Sequence, residues 1–338
     1  MRSHSVKDRT SLNPLVLSRG ILYNEDGIAG ARRHISDNSV DLIITDPPYG
    51  IEGDRLHRHY NRNECFVAGG YVEIPWDKYG DFSRRWIKEG ERILRPGGSM
   101  YIVSGYTNLF HILDALRETR LKEVNHLIWR YRFGVFTRRK YISSHYHILF
   151  YEKPGGKRTF HAESRFGLDE RTAEGRSLNN LDREDVWVIN REYKPGRSKN
   201  KNELPLGLLT KILQYSSNEG DLVCDFFCGG FSTVRAAIGL NRKFVGFEIS
   251  REIFQLKETE LSRVQQGDLL PSLRTAVPAV IRNQRKRWTQ KETALLKKEY
   301  TRLKKDGITR KETLRILGEK LGRGRWGIER ALKKCDLW

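Results

Sequence analysis

The sequence predicts an α/β protein with a doubly wound sheet, followed by a small, basic, all-α domain. Short β-branched segments alternate with stretches of helical periodicity over most of the chain, and proline and glycine clusters separate them. The composition then changes in the last sixth, where lysine and arginine dominate. The 338 residues are enough for one large domain and a second, smaller one.

The first half of the chain contains four predicted strands and one long helix. Residues 39–45 are rich in β-branched side chains, which is typical of a buried strand in a parallel sheet, and Pro47 and Pro48 end that strand. Apolar residues at helical spacing predict a helix over 81–94, which the Arg-Pro-Gly-Gly segment 95–98 ends. The other predicted strands are 99–104, 127–131 and 145–151.

The second half continues the alternation. Residues 205–216 predict a helix with proline in its first turn. Strands are predicted at 221–224 and 243–248, with a helix over 234–240 between them. This strand–helix–strand order favours parallel pairing in the same sheet.

The charge balance indicates a polyanionic partner. Lys plus Arg number 62 against 42 Asp plus Glu, for a net charge of +20. From Ile281 onward there are 19 Lys plus Arg and 7 Asp plus Glu, so more than half of the excess lies in the last sixth. Nucleic acid is favoured over a membrane surface, because no apolar run approaches the roughly 18 residues that span a bilayer.

The cysteines and the N-terminus indicate a reducing compartment. Cys65, Cys224, Cys228 and Cys335 form no Cys-x-x-Cys pair, which predicts neither a metal site nor a disulfide framework. The first residues lack the apolar stretch of a secretory signal. We therefore expect a cytoplasmic protein, associated with the nucleoid in a prokaryote.

The motif Asp46-Pro47-Pro48-Tyr49 directly follows the first predicted strand. An aromatic amine is a poor nucleophile, because its lone pair is delocalised into the ring. A carboxylate and a main-chain carbonyl that accept hydrogen bonds from the amine favour a tetrahedral nitrogen, whose lone pair can attack a sulfonium methyl. The prolines leave no N–H to compete, and Tyr49 offers a face for stacking a base. The alternative is an ordinary turn, since Asp-Pro is turn-forming.

A second motif, residues 225–233, lies between a predicted strand and a predicted helix. Its glycines, Gly229 and Gly230, allow the backbone to approach a ligand closely. Glu248 ends the next strand, 19 residues after Gly229. An acidic residue at that place can accept both ribose hydroxyls of a nucleoside cofactor. The pair therefore predicts a nucleoside-cofactor site, which a Gly-Gly turn alone does not.

The order of these motifs resembles the β group of DNA amino-methyltransferases, which depend on S-adenosyl-L-methionine and include many bacterial adenine-N6 enzymes. In that group the catalytic motif comes before the cofactor motif. The segments that match the group are 24–26, 37–45, 76–77, 92–99, 127–129, 143–151 and 185–187. The resemblance covers about residues 20–255 and implies a Rossmann-like methyltransferase sheet.

The resemblance implies a role for each motif residue. Asp46 and the Pro47 carbonyl hold the target amine, Pro48 completes the motif and Tyr49 stacks on the base. The implied cofactor contacts are Asp26 at the adenine, Glu248 at the ribose, Asn202 at the carboxylate, and Asp225, Phe227, Gly229, Gly230, Ser232 and Thr233 around the methionine portion. This chain departs from the group at Phe231, where a second glycine is usual, and at 200–205, where the group has His-Pro-Thr-Gln-Lys-Pro.

The first residue of the catalytic motif bears on the target base. Asp46 resembles the adenine-N6 enzymes, whereas Ser is commoner there in cytosine-N4 enzymes, so we expect transfer to N6 of adenine. Cytosine N4, an RNA substrate, and a decayed DNA-binding protein on the same fold are the alternatives. Chemistry at C5 of cytosine is disfavoured, because no Pro-Cys dipeptide supplies its nucleophile.

Two basic regions are candidates for contacting DNA. Residues 153–201 occupy the group's target-recognition position, and arginine can bridge guanine O6 and N7, although such residues often contact only phosphate. The tail resembles a Myb/SANT-like module with Trp288 in its core, a second helix over 309–321 and a Thr309–Glu312 capping box. The alternative is a helical bundle that contacts protein. The candidate DNA contacts are Arg158, Arg165, Arg183, Arg191, Lys194, Arg197, Arg323, Arg325 and Arg330.

The predicted organisation has five parts. They are an N-terminal extension (1–19), the catalytic half (20–152), the target-recognition insert (153–201), the cofactor half (202–275) and the helical DNA-binding domain (276–338). The expected partner is double-stranded DNA with the target base flipped out, and not a membrane. A homodimer and a separate restriction endonuclease both stay open.

Overall fold

The computed structural model describes residues 13–48, 74–132, 138–139, 141–191, 203–277, 283 and 286–338. These residues form two compact units. The first contains the described residues up to Phe166, together with Asn179–Thr275. The second contains Gly167–Leu178 and the described residues of Ala276–Trp338. Residues 167–178 of the predicted target-recognition insert thus belong to the second unit.

A nine-stranded sheet forms the centre of the described part of the first unit. The strands are β1 (Leu15–Leu17), β2 (Gly20–Tyr23), β3 (Val40–Thr45), β4 (Leu94–Ser104), β5 (Lys122–Arg130), β6 (His145–Glu152), β7 (Val186–Val188), β8 (Leu222–Asp225) and β9 (Lys243–Phe247). Their order is β1-β2-β9-β8-β3-β4-β6-β5-β7. The central pairs β2–β9, β9–β8, β8–β3 and β3–β4 are parallel, whereas β6 pairs antiparallel with β4 and β5.

Helices cover both faces of this sheet. The described helices of the first unit are α1 (Gly27–His34), α2 (Trp76–Ile93), α3 (Leu109–Arg117), α4 (Leu178–Asp182, which starts at the boundary between units), α5 (Leu206–Ser216), α6 (Ser232–Gly239) and α7 (Arg251–Leu261). Side chains of β3 alternate between two cores, since Leu42 and Ile44 pack with α5 and α6 and Ile43 packs with α1 and α2. The predicted doubly wound α/β sheet is confirmed.

Two boundaries differ from the sequence prediction. The long helix begins at Trp76, five residues before the predicted start, with Pro75 at its N-cap. The residue before a proline disfavours helical backbone, so the helix does not extend farther toward the N-terminus. The Arg-Pro-Gly-Gly segment does not separate the helix from a later strand. Strand β4 begins directly at Leu94, and the pairing register with β3 shifts between Leu94 and Ser99, so the segment forms an irregularity inside the strand. β1 lies within the predicted N-terminal extension and pairs with β2.

The second unit contains three described helices of its own: α8 (Gln290–Lys305), α9 (Arg310–Leu321) and α10 (Arg325–Lys334). They share an apolar core that includes Leu296, Leu317 and Ile328, each fully buried. A complete capping box occurs at Thr289 and Glu292, at the start of α8. At Thr309 only half of the predicted box forms. The Thr309 hydroxyl accepts from the Glu312 N–H, while the Glu312 carboxylate bonds Arg315.

None of the described helices combines the length and the apolar character needed to traverse a bilayer.

Candidate active site

The two chemistry-bearing motifs meet at one edge of the sheet. Strands β3, β8 and β9 are parallel neighbours, so the segments that follow their carboxyl ends lie side by side. Asp46 follows β3, the glycine turn follows β8, and Glu248 follows β9. A hydrogen bond of 3.0 Å from the Thr45 hydroxyl to Asp225 Oδ1 joins the first two strand ends directly.

A cleft of about 980 Å³, counted out to open solvent, lies at this edge. The predicted site residues that line it are Asp26, Asp46, Pro47, Pro48, Asp225, Phe227, Gly229, Gly230, Ser232, Thr233 and Glu248. Tyr49 and Asn202 lie outside the described residues. The cleft therefore gathers every described residue that was predicted for catalysis or for the cofactor.

Asp225 is the buried carboxylate at the base of the turn. Its Oδ1 accepts from the Thr45 hydroxyl and from the Phe227 N–H, both at 3.0 Å. Burial raises the pKa of Asp225 to about 6, although these hydrogen bonds and one from Thr233 favour the charged form. The side chain thus fixes the shape of the turn before any ligand is bound.

Glu248 is held by the backbone on both sides. Gly229 N–H donates to its Oε2 and Ser250 N–H to its Oε1, each at 2.7 Å. Burial raises the pKa of Glu248 to about 7, while the backbone hydrogen bonds oppose this shift. The Asn24 amide donates to the Glu248 carbonyl at 2.8 Å, which ties the end of β2 to the same residue.

Phe231 occupies the turn without entering the cleft. Its backbone is left-handed (φ 60°, ψ 22°), a conformation that glycine adopts most readily. The ring is only 1% exposed and packs edge-on against Phe254, with the ring centres 5.9 Å apart. Phe231 therefore keeps the backbone shape of the missing glycine, and its ring fills the core beneath the turn.

Asp26 has a structural task in addition to its place in the cleft. Its Oδ1 accepts from the N–H groups of Ile28 and Ala29, at 3.1 and 2.9 Å, and so caps α1. Gly27, the next residue, lies so close to the Phe226 carbonyl that a Cβ there would overlap it. The start of α1 is thereby locked against the glycine turn.

Aromatic and aliphatic side chains form the apolar part of the cleft. Phe82 and Phe227 line it, with their ring centres 5.6 Å apart, and Trp86 packs behind Phe227. Ile74 and Ile253 line it as well. Apart from Phe227, these residues were missed by the sequence analysis, because an apolar residue near a site has no pattern that distinguishes it from the core.

The charges around the cleft are one-sided. Asp26, Asp46, Glu203, Asp225 and Glu248 line it, and no Lys, Arg or His is among the described lining residues. Such a site favours a ligand that carries positive charge. A sulfonium nucleoside fits this lining, because Glu248 offers acceptors for a ribose and the backbone at Gly229 and Gly230 carries no side chain. Fold and cleft define a methyltransferase-type α/β enzyme.

Comparison with known proteins gives the family. A family model described as DNA methylase, of the N6/N4 type, matches residues 40–259. The chain belongs to this family, and its cofactor is S-adenosyl-L-methionine. The expectation of a DNA amino-methyltransferase is confirmed at this level.

The chain is also similar to individual members. It is 30% identical over 243 residues to the type II methyltransferase M.HpaI of Haemophilus parainfluenzae, which covers 70% of this chain and 73% of that protein. It is 26% identical over 262 residues to M2.MboI of Moraxella bovis, which covers 74% of this chain and 89% of that protein.

Two solved structures share the fold. One is a Thermus thermophilus protein in complex with S-adenosyl-L-methionine, with a TM-score of 0.51 and 23% identity, covering 73% of this chain and 94% of that one. The other is PvuII DNA methyltransferase, described as cytosine-N4-specific, with a TM-score of 0.52 and 14% identity. It covers 77% of this chain and 95% of that one.

Two arginines predicted to contact DNA are engaged by acidic partners within the first unit. Arg158 Nε lies 2.7 Å from Glu152, and its guanidinium stacks over Phe150. Arg165 bonds the Asp182 carboxylate at 2.9 Å and is one-fifth exposed. Both guanidinium groups therefore stabilise the packing of the insert.

Two further arginines of the insert donate hydrogen bonds to neighbouring residues of the first unit. Arg183 donates to the Asn179 carbonyl at 3.2 Å. Arg191 lies over the rings of Tyr131 and Tyr146 and donates to the Tyr146 hydroxyl at 2.7 Å. Lys194 and Arg197 lie outside the described residues.

Arg323 is predicted to contact DNA, but its side chain lies inside the second unit and bonds residues of that unit. Its side chain is 6% exposed, pairs with Glu292 at 2.9 Å and donates to the carbonyls of Asn283, Lys286 and Arg287. The guanidinium holds the pKa of Glu292 at about 2 through its hydrogen bond. Arg323 therefore links the segment before α8 to the start of α10.

Proposed function

We propose that this protein transfers a methyl group from S-adenosyl-L-methionine to N6 of adenine in double-stranded DNA. The placement of Asp46 supports the proposal, because the first residue of the catalytic motif shares one cleft with the carboxylates that suit the cofactor. An aspartate in this place resembles adenine-N6 enzymes. A base inside a duplex cannot reach such a cleft, so the target adenine is flipped out of the helix.

Groups of the protein position the amine of the target base. The cofactor, when bound, supplies an electrophilic methyl group. Asp46 and the Pro47 carbonyl accept hydrogen bonds from the amine of the base and orient its lone pair. Prolines at 47 and 48 have no N–H that competes for these acceptors. The preorganised carboxylate also stabilises the positive charge that develops on the amine as the methyl group is transferred.

The second unit supports a role in holding DNA. On α10, Trp326, Arg330, Lys333 and Lys334 are exposed at spacings that place them along one side of the helix. Trp326 is 77% exposed. We propose that this stripe contacts the phosphate backbone, as the net positive charge of the tail favours.

Mass spectrometry of nucleosides tests the choice of base. DNA from cells that express the wild-type protein should contain N6-methyladenine, and DNA from cells that express Asp46→Ala should not. Appearance of N4-methylcytosine instead would overturn the adenine proposal. Absence of any methylated base, with methyl transfer to structured RNA, would overturn DNA as substrate.

A further inference from the structure

Glu203 is a cleft residue that no pattern in the sequence indicates. It immediately precedes Leu204 and Pro205 at the start of α5, and it lines the cleft beside the glycine turn. Its side chain crosses directly over Gly230, where a Cβ would overlap it. The Glu203 carboxylate is thus packed against the backbone that approaches the cofactor.

A buried cation holds this carboxylate in place. Lys257 of α7 lies 3.3 Å from Glu203 Oε1, and the two side chains are 9% and 12% exposed. Lys257 also pairs with Glu260 at 2.9 Å, and Glu260 is 64% exposed. A buried carboxylate is costly unless it is paired, so the ion pair with Lys257 compensates for the burial of Glu203 beside the cleft.

Glu203 lies in the segment where this chain departs from the pattern of the group that it resembles. Where the group has Gln and Lys before the proline, this chain has Glu203 and Leu204. The lysine of that segment is therefore absent, and the nearby cation comes from Lys257 on another helix. The charge that faces the cleft at this point is negative.

Glu203 and Glu248 are placed on either side of the same turn. Glu248 accepts from Gly229 N–H, and Glu203 lies over Gly230. With the ribose at Glu248, as the resemblance implies, the methionine portion of the cofactor would lie beside Gly229 and Gly230. That portion carries an α-ammonium group, which needs acceptors, and none of the described lining side chains is cationic.

We propose that Glu203 binds the α-ammonium group of the cofactor's methionine portion, and that Lys257 positions the Glu203 carboxylate. The proposal concerns a residue of this chain and rests on S-adenosyl-L-methionine as the cofactor. Glu203 would then act as a binding residue, and Lys257 as a positioning residue that touches no ligand.

Binding of three related ligands to Glu203→Gln tests the proposal. S-Adenosyl-L-methionine and S-adenosyl-L-homocysteine both carry the α-ammonium group, whereas 5′-methylthioadenosine lacks the whole amino-acid portion. In calorimetry the variant should bind the first two about 10- to 100-fold more weakly, as expected for loss of a charged hydrogen bond. Its affinity for 5′-methylthioadenosine should stay within about twofold of the wild type, because ribose and adenine contacts persist.

Glu260→Gln is the matched control. It changes the other carboxylate that Lys257 contacts, but Glu260 is exposed and does not line the cleft. All three affinities should remain at wild-type values. Glu203→Asp is a second variant that keeps the charge, and it should retain more of the preference for the ammonium-bearing ligands than Glu203→Gln.

Three results would overturn the proposal. Equal loss of all three ligands in Glu203→Gln would mean that Glu203 only shapes the turn. Unchanged binding of all three would mean that it touches no ligand. If the wild-type protein bound neither ammonium-bearing ligand, the cofactor itself would be wrong and the proposal would fail with it, whereas the first two results leave the cofactor intact.

Discussion

The cleft of the first unit and the helices of the second unit handle charge in opposite ways. The cleft gathers five carboxylates, and two of them, Asp225 and Glu248, have raised pKa values because they are buried. The second unit carries a surplus of cations, and most lie exposed. Among the described cations of this unit, Arg323 is the exception, since it is buried and bonded to Glu292.

The difference shows that burial decides the role of a charged residue. A buried charge needs a partner, so the Arg323 guanidinium is bonded within the second unit. A buried carboxylate at the edge of a ligand cleft is instead stabilised when a cationic ligand arrives. Exposed cations such as Arg330 keep their donors for a polyanion.

The largest expected effect is at Asp46. Replacement by alanine should lower the methyl-transfer rate by roughly 10²–10³-fold, because the amine loses its preorganised acceptor. Affinity for the cofactor should change by less than about threefold, since the residues proposed to contact the cofactor belong to other segments. Labelled methyl transfer and calorimetry measure the two quantities.

Asp46→Asn is the control for this prediction. It keeps the shape and one acceptor oxygen, so it should retain more activity than Asp46→Ala. Full activity in the alanine variant would remove Asp46 from the catalytic motif.

Another large effect is expected on the stability of the second unit. Arg323→Ala should lower its free energy of unfolding by about 3 kcal/mol, because Glu292 and three carbonyls lose a buried donor. Hydrogen exchange of α8 and α10 in the full chain reports the loss. Arg330→Ala, at an exposed position, should change it by no more than about 0.5 kcal/mol. A stable Arg323→Ala protein that no longer binds DNA would restore the original prediction.

The sequence predicts a site residue when the strand topology determines its position. It does not predict a site residue whose position depends on side-chain packing. Asp46 and Glu248 were predictable, because the ends of parallel strands meet at one edge. Glu203 was not, because its place depends on how the start of α5 lies over Gly230. Arg323 and Arg330 look equivalent in sequence, and only the packing around Glu292 separates them. The irregularity in β4 was missed because its Pro-Gly-Gly sequence is typical of a turn.

Variants of Phe231 test whether the packing beneath the turn affects stability without affecting cofactor binding in the cleft. Phe231→Ala should lower the free energy of unfolding by about 3–5 kcal/mol, since a buried ring is lost. Phe231→Gly should be more stable than Phe231→Ala by about 1 kcal/mol, because glycine adopts the left-handed backbone without strain. Chemical denaturation measures both. Cofactor affinity of the folded variants should stay within about threefold, and a larger loss would place the ring at the ligand.

Glu248 predicts a pH dependence of cofactor binding. Its pKa of about 7 means that the carboxylate form, which is the form proposed to accept the ribose hydroxyls, develops only as the pH rises through neutrality. Affinity should therefore increase by roughly tenfold between about pH 6 and 8. Glu248→Gln should bind more weakly at pH 8, and calorimetry should show a flatter pH profile. A profile with the same slope in this variant would assign the titration to another group, such as Asp225.

The same shift has the opposite sign for the stability of the cofactor-free protein. A pKa raised above the unfolded value of about 4.5 means that the folded state binds more protons between about pH 4.5 and 7. The contribution of Glu248 to stability therefore falls as the pH rises through this window. Thermal unfolding of both proteins at several pH values measures this. The stability of the wild type relative to Glu248→Gln should fall as the pH rises from about 4.5 to 7.

The smallest expected effect is on the salt dependence of DNA binding, and it should differ between an exposed arginine without an ion pair and one that is paired. Arg330 is exposed and makes no ion pair with the described residues, so its replacement by alanine should reduce the slope of log affinity against log salt by about one. Arg315 is also exposed, but its guanidinium bonds Glu312 and Glu319. Arg315→Ala should leave the slope nearly unchanged, and titration of duplex DNA at several salt concentrations measures both. Equal slopes for Arg330→Ala and the wild type would remove α10 from the proposed DNA surface.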